Sequence, residues 1–164
     1  MNISIKKMTT FVKWFLVNAV ILTAVLLVEE KGIISMIIKN DLSHIALFIM
    51  GLYVCVSAFV GKLCYQADQI KEDFEAKKNK LLKRADIGWF AAEHFFSLGL
   101  LGTIIGLVIA TEGGLDSSLP TSEIVAGLKE GLNTAFYTTV CGIVFSLPLQ
   151  VQLMILKFKL EEDA

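Results

Sequence analysis

The sequence predicts an all-α integral membrane protein with four transmembrane helices, and three observations carry that prediction. Apolar residues make up 55% of the 164-residue chain, and mean hydropathy is +0.67. This is more apolar than a soluble domain of that length needs. The apolar residues are gathered into four blocks, each near the ~20 residues that a bilayer span requires. The basic residues are divided unevenly between the polar segments that separate those blocks, as the positive-inside rule expects of a multi-pass chain.

The four expected spans are about 11–28, 42–65, 89–110 and 134–156, and the whole chain, 1–164, reads as one membrane domain. Lys13 and Trp14 suit the interfacial end of the first span. Asn18 is the polar residue well inside it, and the simplest role for it is a hydrogen bond to a neighbouring helix. His44 and Lys62 stand at the two edges of the second span, within reach of headgroups. The long polar segment 66–88 carries no glycine or proline before Gly88 and reads as helical extensions of the second and third spans. Pro120 followed by Thr121 and Ser122 suggests a helix start. Ile124, Leu128 and Leu132 then recur every fourth residue, so 121–133 is expected as an amphipathic helix on the outer membrane surface.

Twelve basic residues (Lys6, Lys7, Lys13, Lys62, Lys71, Lys77, Lys78, Lys80, Lys83, Arg84, Lys157, Lys159) fall on one side, and three (Lys31, Lys39, Lys129) on the other. That asymmetry places both termini and segment 66–88 in the cytoplasm. The net charge of −1 offers no basic field for nucleic acid. Cys55, Cys64 and Cys141 lie in apolar blocks without CxxC or Cys/His spacing, so they read as small buried residues rather than metal ligands or disulfides. The first apolar block is longer than a signal-peptide core, and no A-x-A site follows it, so a cleaved leader is not expected.

The stretch Ser97–Ala110, SLGLLGTIIGLVIA, is apolar yet rich in glycine. On a helix Gly99, Thr103, Gly106 and Ala110 share a face, and Gly102 forms a GxxxG pair with Gly106. Ala135, Thr139, Gly142, Ser146 and Gln150 share a face of the fourth span. Each helix thus presents a bare stripe with one hydroxyl, which suggests one lined surface. Thr103 lies seven residues from the outer end of its span, about 10 Å. Thr139 lies five residues from the outer end of its own, roughly 7–8 Å. The two hydroxyls therefore stand at similar depth. Pro148 leaves the Val144 carbonyl without its usual helical partner.

Glu93 is the carboxylate that falls inside a span, near the cytoplasmic end and beside His94. An ion path needs an acid near mid-membrane or a substitute for one. Either the chain moves no ions, or a partner inserts a carboxylate against Thr103 and Thr139. The chain shows no nucleotide loop, nucleophile–base pair or metal-ligand set, so neither enzyme activity nor a cofactor is expected.

The residues Leu100-Leu101-Gly102-Thr103-Ile104-Ile105-Gly106 are similar to the LLGTVxG motif of the MotA/TolQ/ExbB proton-channel family. The stretch Gly131–Pro148, GLNTAFYTTVCGIVFSLP, resembles that family's GIxxALxTTAxGLxxAIP pattern. Together the two motifs span roughly Ser97–Gln150, about a third of the chain. The resemblance implies a homopentamer in a bacterial inner membrane, with the third and fourth spans lining a central pore. It implies a partner dimer of the single-span MotB/TolR/ExbD kind in that pore, carrying an aspartate for a proton or sodium ion. Thr103 and Thr139 align with the family threonines that face that aspartate, and ion flow would drive rotation of one part against the other. Gly99, Gly102, Gly106, Ala135, Gly142, Ser146 and Pro148 join them as the expected path and partner-facing set, with Glu93 and His94 as a cytoplasmic-side relay. Two features depart from relatives. Thr134 stands where TolQ- and ExbB-like proteins often carry glutamate, and 66–88 is shorter than the cytoplasmic domain of MotA-like stators. Two other readings compete: a structural or lytic four-span protein whose stripes serve packing alone, and a small transporter using Glu93 and His94 to relay protons.

Overall fold

The computed structural model describes residues 9–70, 75–114 and 120–162. Lys6, Lys7, Lys71 and the polar run Asp116-Ser117-Ser118 lie outside the described residues. Among those described, the chain is five helices and no strand: α1 Thr10–Glu30, α2 Ile33–Asn40, α3 Ile45–Asp68, α4 Glu75–Gly114 and α5 Thr121–Glu162. The four longer helices are each long and apolar enough to cross a membrane.

The helix α1 is apolar all round, and its side chains from Phe15 to Leu27 are largely exposed, as a lipid-facing span must be. Its first turn is held by the last residue of α3. The two Asp68 carboxylate oxygens accept the N–H groups of Thr10 and Phe11 at 2.9 and 2.8 Å. Two of the free donors of the helix start are thereby met, and a negative charge stands at its positive dipole end. At the other end the chain turns through Gly32, whose φ of 68° suits a residue without Cβ. The short α2 then buries Ile37 against the bundle.

Asp41 begins α3 from inside the protein. It is 2% exposed and accepts the Ser43 N–H, the Ser43 hydroxyl and the Ala46 N–H at 3.0, 2.6 and 2.8 Å. His44 is the capping residue of α3, and Asp41, three residues earlier, supplies the acceptor for the free Ala46 N–H of its first turn; burial is tolerated because each oxygen is hydrogen-bonded.

The two longest helices, α4 with 40 residues and α5 with 42, each measure about 60 Å. That is twice the ~30 Å hydrocarbon core, so both project well beyond it. The expected separate surface helix over 121–133 is instead the first third of α5, continuous with the span that follows. The reason is tertiary. Gly131 brings the α5 backbone against Ala110 of α4, so the pairing of the two helices begins before Thr134. Pro148 lies within α5 without ending it.

The core forms where α3, α4 and α5 meet, around Ile49, Leu63, Phe95, Leu149, Leu153 and Leu156, each under 2% exposed. Cys64 and Cys141 are buried, whereas Cys55 is exposed on α3, contrary to the expectation for all three. A cysteine is small and apolar enough to stand on either side of a lipid-facing helix.

Trp14, Asn18, Tyr53, Ser57 and Gln152 form one polar network that ties α1 to α3 and α5. The Trp14 indole N–H is shared between the Ser57 carbonyl oxygen and Gln152 Oε1, at 3.1 and 3.0 Å. The Ser57 hydroxyl has Asn18 Oδ1 and Gln152 Oε1 as acceptors, each at 2.9 Å. Gln152 Nε2 donates to the Tyr53 hydroxyl at 3.1 Å. Gln152 is fully buried, and it is the hub. Gln152→Leu keeps the volume and removes both polar ends, so it is expected to lower stability by about 1 kcal/mol. Thermal unfolding in detergent micelles checks this. An unchanged melting temperature would mean that the Gln152 hydrogen bonds contribute nothing to holding α1.

Candidate functional site

The small-residue stripes meet each other. A Cβ at Gly99 would stand 3.0 Å from the Thr138 carbonyl oxygen and 3.2 Å from the Gly142 Cα. A Cβ at Gly142 would stand 2.8 Å from the Phe95 carbonyl oxygen. Gly102 lies against the Thr138 side chain, Gly106 against the backbone of Gly131 and Ala135, and Gly131 against Ala110. The result is an antiparallel ladder of glycine and alanine along the α4/α5 seam, the close approach that small residues permit in membranes. Gly99, Gly102, Gly106, Ala135 and Gly142 are all buried there. Their neighbour is α5, or α4, of the same chain, not an incoming helix. Ser146 is on the seam too, donating to the Ala92 carbonyl oxygen at 2.8 Å and accepting from Gln150 Nε2 at 3.0 Å.

Thr103 and Thr139 stand at the edge of this ladder, and the structure brings them together. Their hydroxyls are hydrogen-bonded to each other. Thr103 Oγ1 also lies 3.2 Å from the Gly99 carbonyl oxygen and 3.3 Å from that of Ala135. Thr139 Oγ1 lies 3.0 Å from the Ala135 oxygen and 3.5 Å from the Gly99 oxygen. Two hydroxyls and two carbonyls from two helices thus converge on one point. Each hydroxyl has a single proton to donate and lone pairs to spare, so the cluster can offer oxygen to a cation or a hydrogen bond to an acid.

Both threonines are half-buried, and their free side is open. On α4 the side chains next round the helix from Thr103 are Phe96 and Leu100, 51% and 52% exposed. On α5 they are Phe136 and Ile143, 64% and 41% exposed. The helices α1, α2 and α3 pack on the other side, where Cys141, Leu149 and Gln152 are buried. Pro148 belongs to that other side. It lines an apolar cavity of about 380 Å³ with Ile21, Met50 and Cys141, and so lies apart from the two threonines.

Glu93 and His94 are both exposed, and no hydrogen bond joins them. The His94 ring stacks on Phe90 with centroids 3.8 Å apart. Its Nδ1 lies 2.7 Å from the Phe90 carbonyl oxygen, which turns the ring back onto its own helix. Glu93 is ten residues from Thr103, about 15 Å along α4. The structure therefore brings neither residue to the threonine cluster.

Thr134 lies among residues the sequence did not single out as a group. Its Oγ1 accepts the Leu42 N–H at 3.2 Å and lies 3.3 Å from the Asn40 carbonyl oxygen. Between Asn40 and Leu42 is Asp41, so the corner between α2 and α3 is fastened to α5. Thr138, one residue before Thr139, donates within its own helix at 2.9 Å to Thr134 and packs against Gly102. A TT pair on a helix puts its two hydroxyls about 100° apart, so one fills the seam and the other reaches its open edge.

No curated protein and no solved structure matches the chain. The family model described as the MotA/TolQ/ExbB proton channel family matches residues 64–163. That match takes in the last turn of α3 and the whole of α4 and α5, the two helices that carry the glycine ladder and the threonine pair. The matched stretch is well over half of the chain, and the chain, a multi-pass membrane protein, belongs to the MotA/TolQ/ExbB proton channel family.

Proposed function

We propose that this chain is the pore-forming subunit of an ion-driven motor complex in a bacterial inner membrane. Five copies enclose a pair of single-span partner helices, both termini face the cytoplasm, and proton or sodium flow turns one part against the other. The observation that carries the reading is the paired Thr103 and Thr139 hydroxyls at the open edge of the α4/α5 seam. Nothing in that cluster is ionisable, yet ion transfer within a membrane needs a titratable or charged group. The described carboxylates nearest in sequence stand off along the helices: Glu112 is nine residues from Thr103 and Glu130 nine from Thr139, about 13–14 Å each, and Glu93 is about 15 Å away on its far side. A carboxylate on a partner helix, arriving at the open edge, completes the site. The exposed apolar side chains of α4 and α5 give that helix, or a neighbouring subunit, a surface to pack against.

Native mass measurement of the complex, purified in mild detergent from the membranes of its own host, tests the proposal. A pentamer retaining a smaller, substoichiometric single-span protein is expected. A monomer, a dimer or a large open ring without such a companion overturns it.

A further inference from the structure

At the end of the bundle where α3 stops and α4 begins, a cavity of about 300 Å³ opens between the two helices. Gln66 lines it from α3 and Gln69 from the residue that closes that helix, and Lys77, Lys80, Leu81 and Arg84 line it from α4. Its volume is at the lower end of the roughly 300–1,000 Å³ of small-molecule sites. Helical geometry puts Lys77, Lys80 and Arg84 within about 60° of one another, all turned toward the cavity. Glu75 and Asp86 are exposed and lie roughly opposite, so α4 keeps its acids away from this face. Among the described residues neither Lys80 nor Arg84 is paired with a carboxylate. Asp68, on the last turn of α3, spends both oxygens on the N–H groups of α1. The cavity is therefore a concave, cationic site with amide groups at its rim and an apolar wall of Leu81.

Its height matters as much as its charge. Arg84 lies five residues before Trp89, about 7–8 Å along α4, and a tryptophan commonly marks the membrane interface. Gln66 follows the exposed Lys62 by one turn of α3. The cavity thus stands at the level of the headgroup phosphates if α3 and α4 span the bilayer.

We propose that this cavity binds the phosphate of an anionic phospholipid headgroup, held by Lys80 and Arg84 with Lys77 beside them. Guanidinium and ammonium groups together suit a phosphodiester, the first as a planar fork and the second as a point charge. The headgroup would brace α3 against α4 at the point where both leave the membrane. The site does not depend on ion transfer at Thr103 and Thr139.

The test is native mass spectrometry of the full chain from micelles doped with equal amounts of phosphatidylglycerol and phosphatidylcholine. Wild type is expected to retain phosphatidylglycerol selectively, and Lys80→Gln with Arg84→Gln to weaken that retention by about tenfold or more. Lys62→Gln with Lys83→Gln removes the same charge from exposed positions outside the cavity and is expected to leave retention unchanged. Lys80→Arg is expected to keep it. Three results overturn the proposal: no selectivity in wild type, an equal loss in the Lys62/Lys83 variant, or displacement of the lipid by excess inorganic phosphate, which would make the ligand a soluble anion. Retention that survives inorganic phosphate supports the headgroup.

Discussion

Replacing both Thr103 and Thr139 with valine is expected to reduce ion flux by about tenfold to a hundredfold while leaving assembly intact. Valine has nearly the shape of threonine, so the packing beside the glycine ladder is kept. Both hydroxyls go, and with them the oxygen that meets a visiting carboxylate or cation. The loss of two polar partners, at about 1 kcal/mol or more each, sets the magnitude. Stability should move little, because the Gly99 and Ala135 carbonyls keep their own helical donors and a hydrogen bond between membrane helices contributes on average about 0.6 kcal/mol. Single substitutions should do less. In Thr103→Val, Thr139 still donates to the Ala135 carbonyl oxygen, 3.0 Å away. In Thr139→Val, Thr103 still has the Gly99 oxygen at 3.2 Å. Serine at both positions keeps the hydroxyls and should retain most of the flux. The measurement is proton or sodium entry into vesicles reconstituted with the complex from native membranes, alongside its native mass. Full flux in the double valine variant would remove the threonine pair from the ion path. Loss of the complex itself would assign the pair to packing instead.

The second large effect concerns the ladder. Gly106→Ala adds one methyl group, yet its Cβ would stand 2.5 Å from the Ala135 nitrogen and 2.6 Å from the Gly131 carbonyl oxygen. Both are backbone atoms, which no rotamer change can move, so α4 and α5 must separate at this point. The expected cost is about 3 kcal/mol, large against the marginal stability of a small domain. Gly51→Ala provides the comparison. Gly51 is exposed on α3 with nothing within 4 Å of its would-be Cβ, and alanine there should be neutral or stabilising by about 0.5–1 kcal/mol. Thermal unfolding of both variants in the same detergent measures the difference. Equal melting temperatures would mean that the α4/α5 seam yields easily and does not hold the two threonines in place.

The amino-acid sequence alone sufficed for the four apolar runs, the stripes on two of them and the similar depth of two threonines. Each depends on composition or on the repeat of a single helix, which local residues dictate. A stripe says that something comes close, however, and not what does. The glycines around Thr103 could have met a partner; the fold spends them on α5, because two long antiparallel helices joined by a short connection meet each other first. The same contact joins 121–133 to the span after it, although that segment alone reads as a surface helix. Pro148 and Thr139 belong to one motif but face opposite sides of α5, a separation that linear spacing hides until the helix has neighbours. The roles of Asp68 and Gln152 were beyond reach for a plainer reason. Asp68 acts on residues 57 and 58 positions away, and Gln152 reaches α1 and α3 across 138 and 99 positions. Hydrogen bonds over such distances leave no trace in local pattern; they exist only once packing has brought the helices side by side.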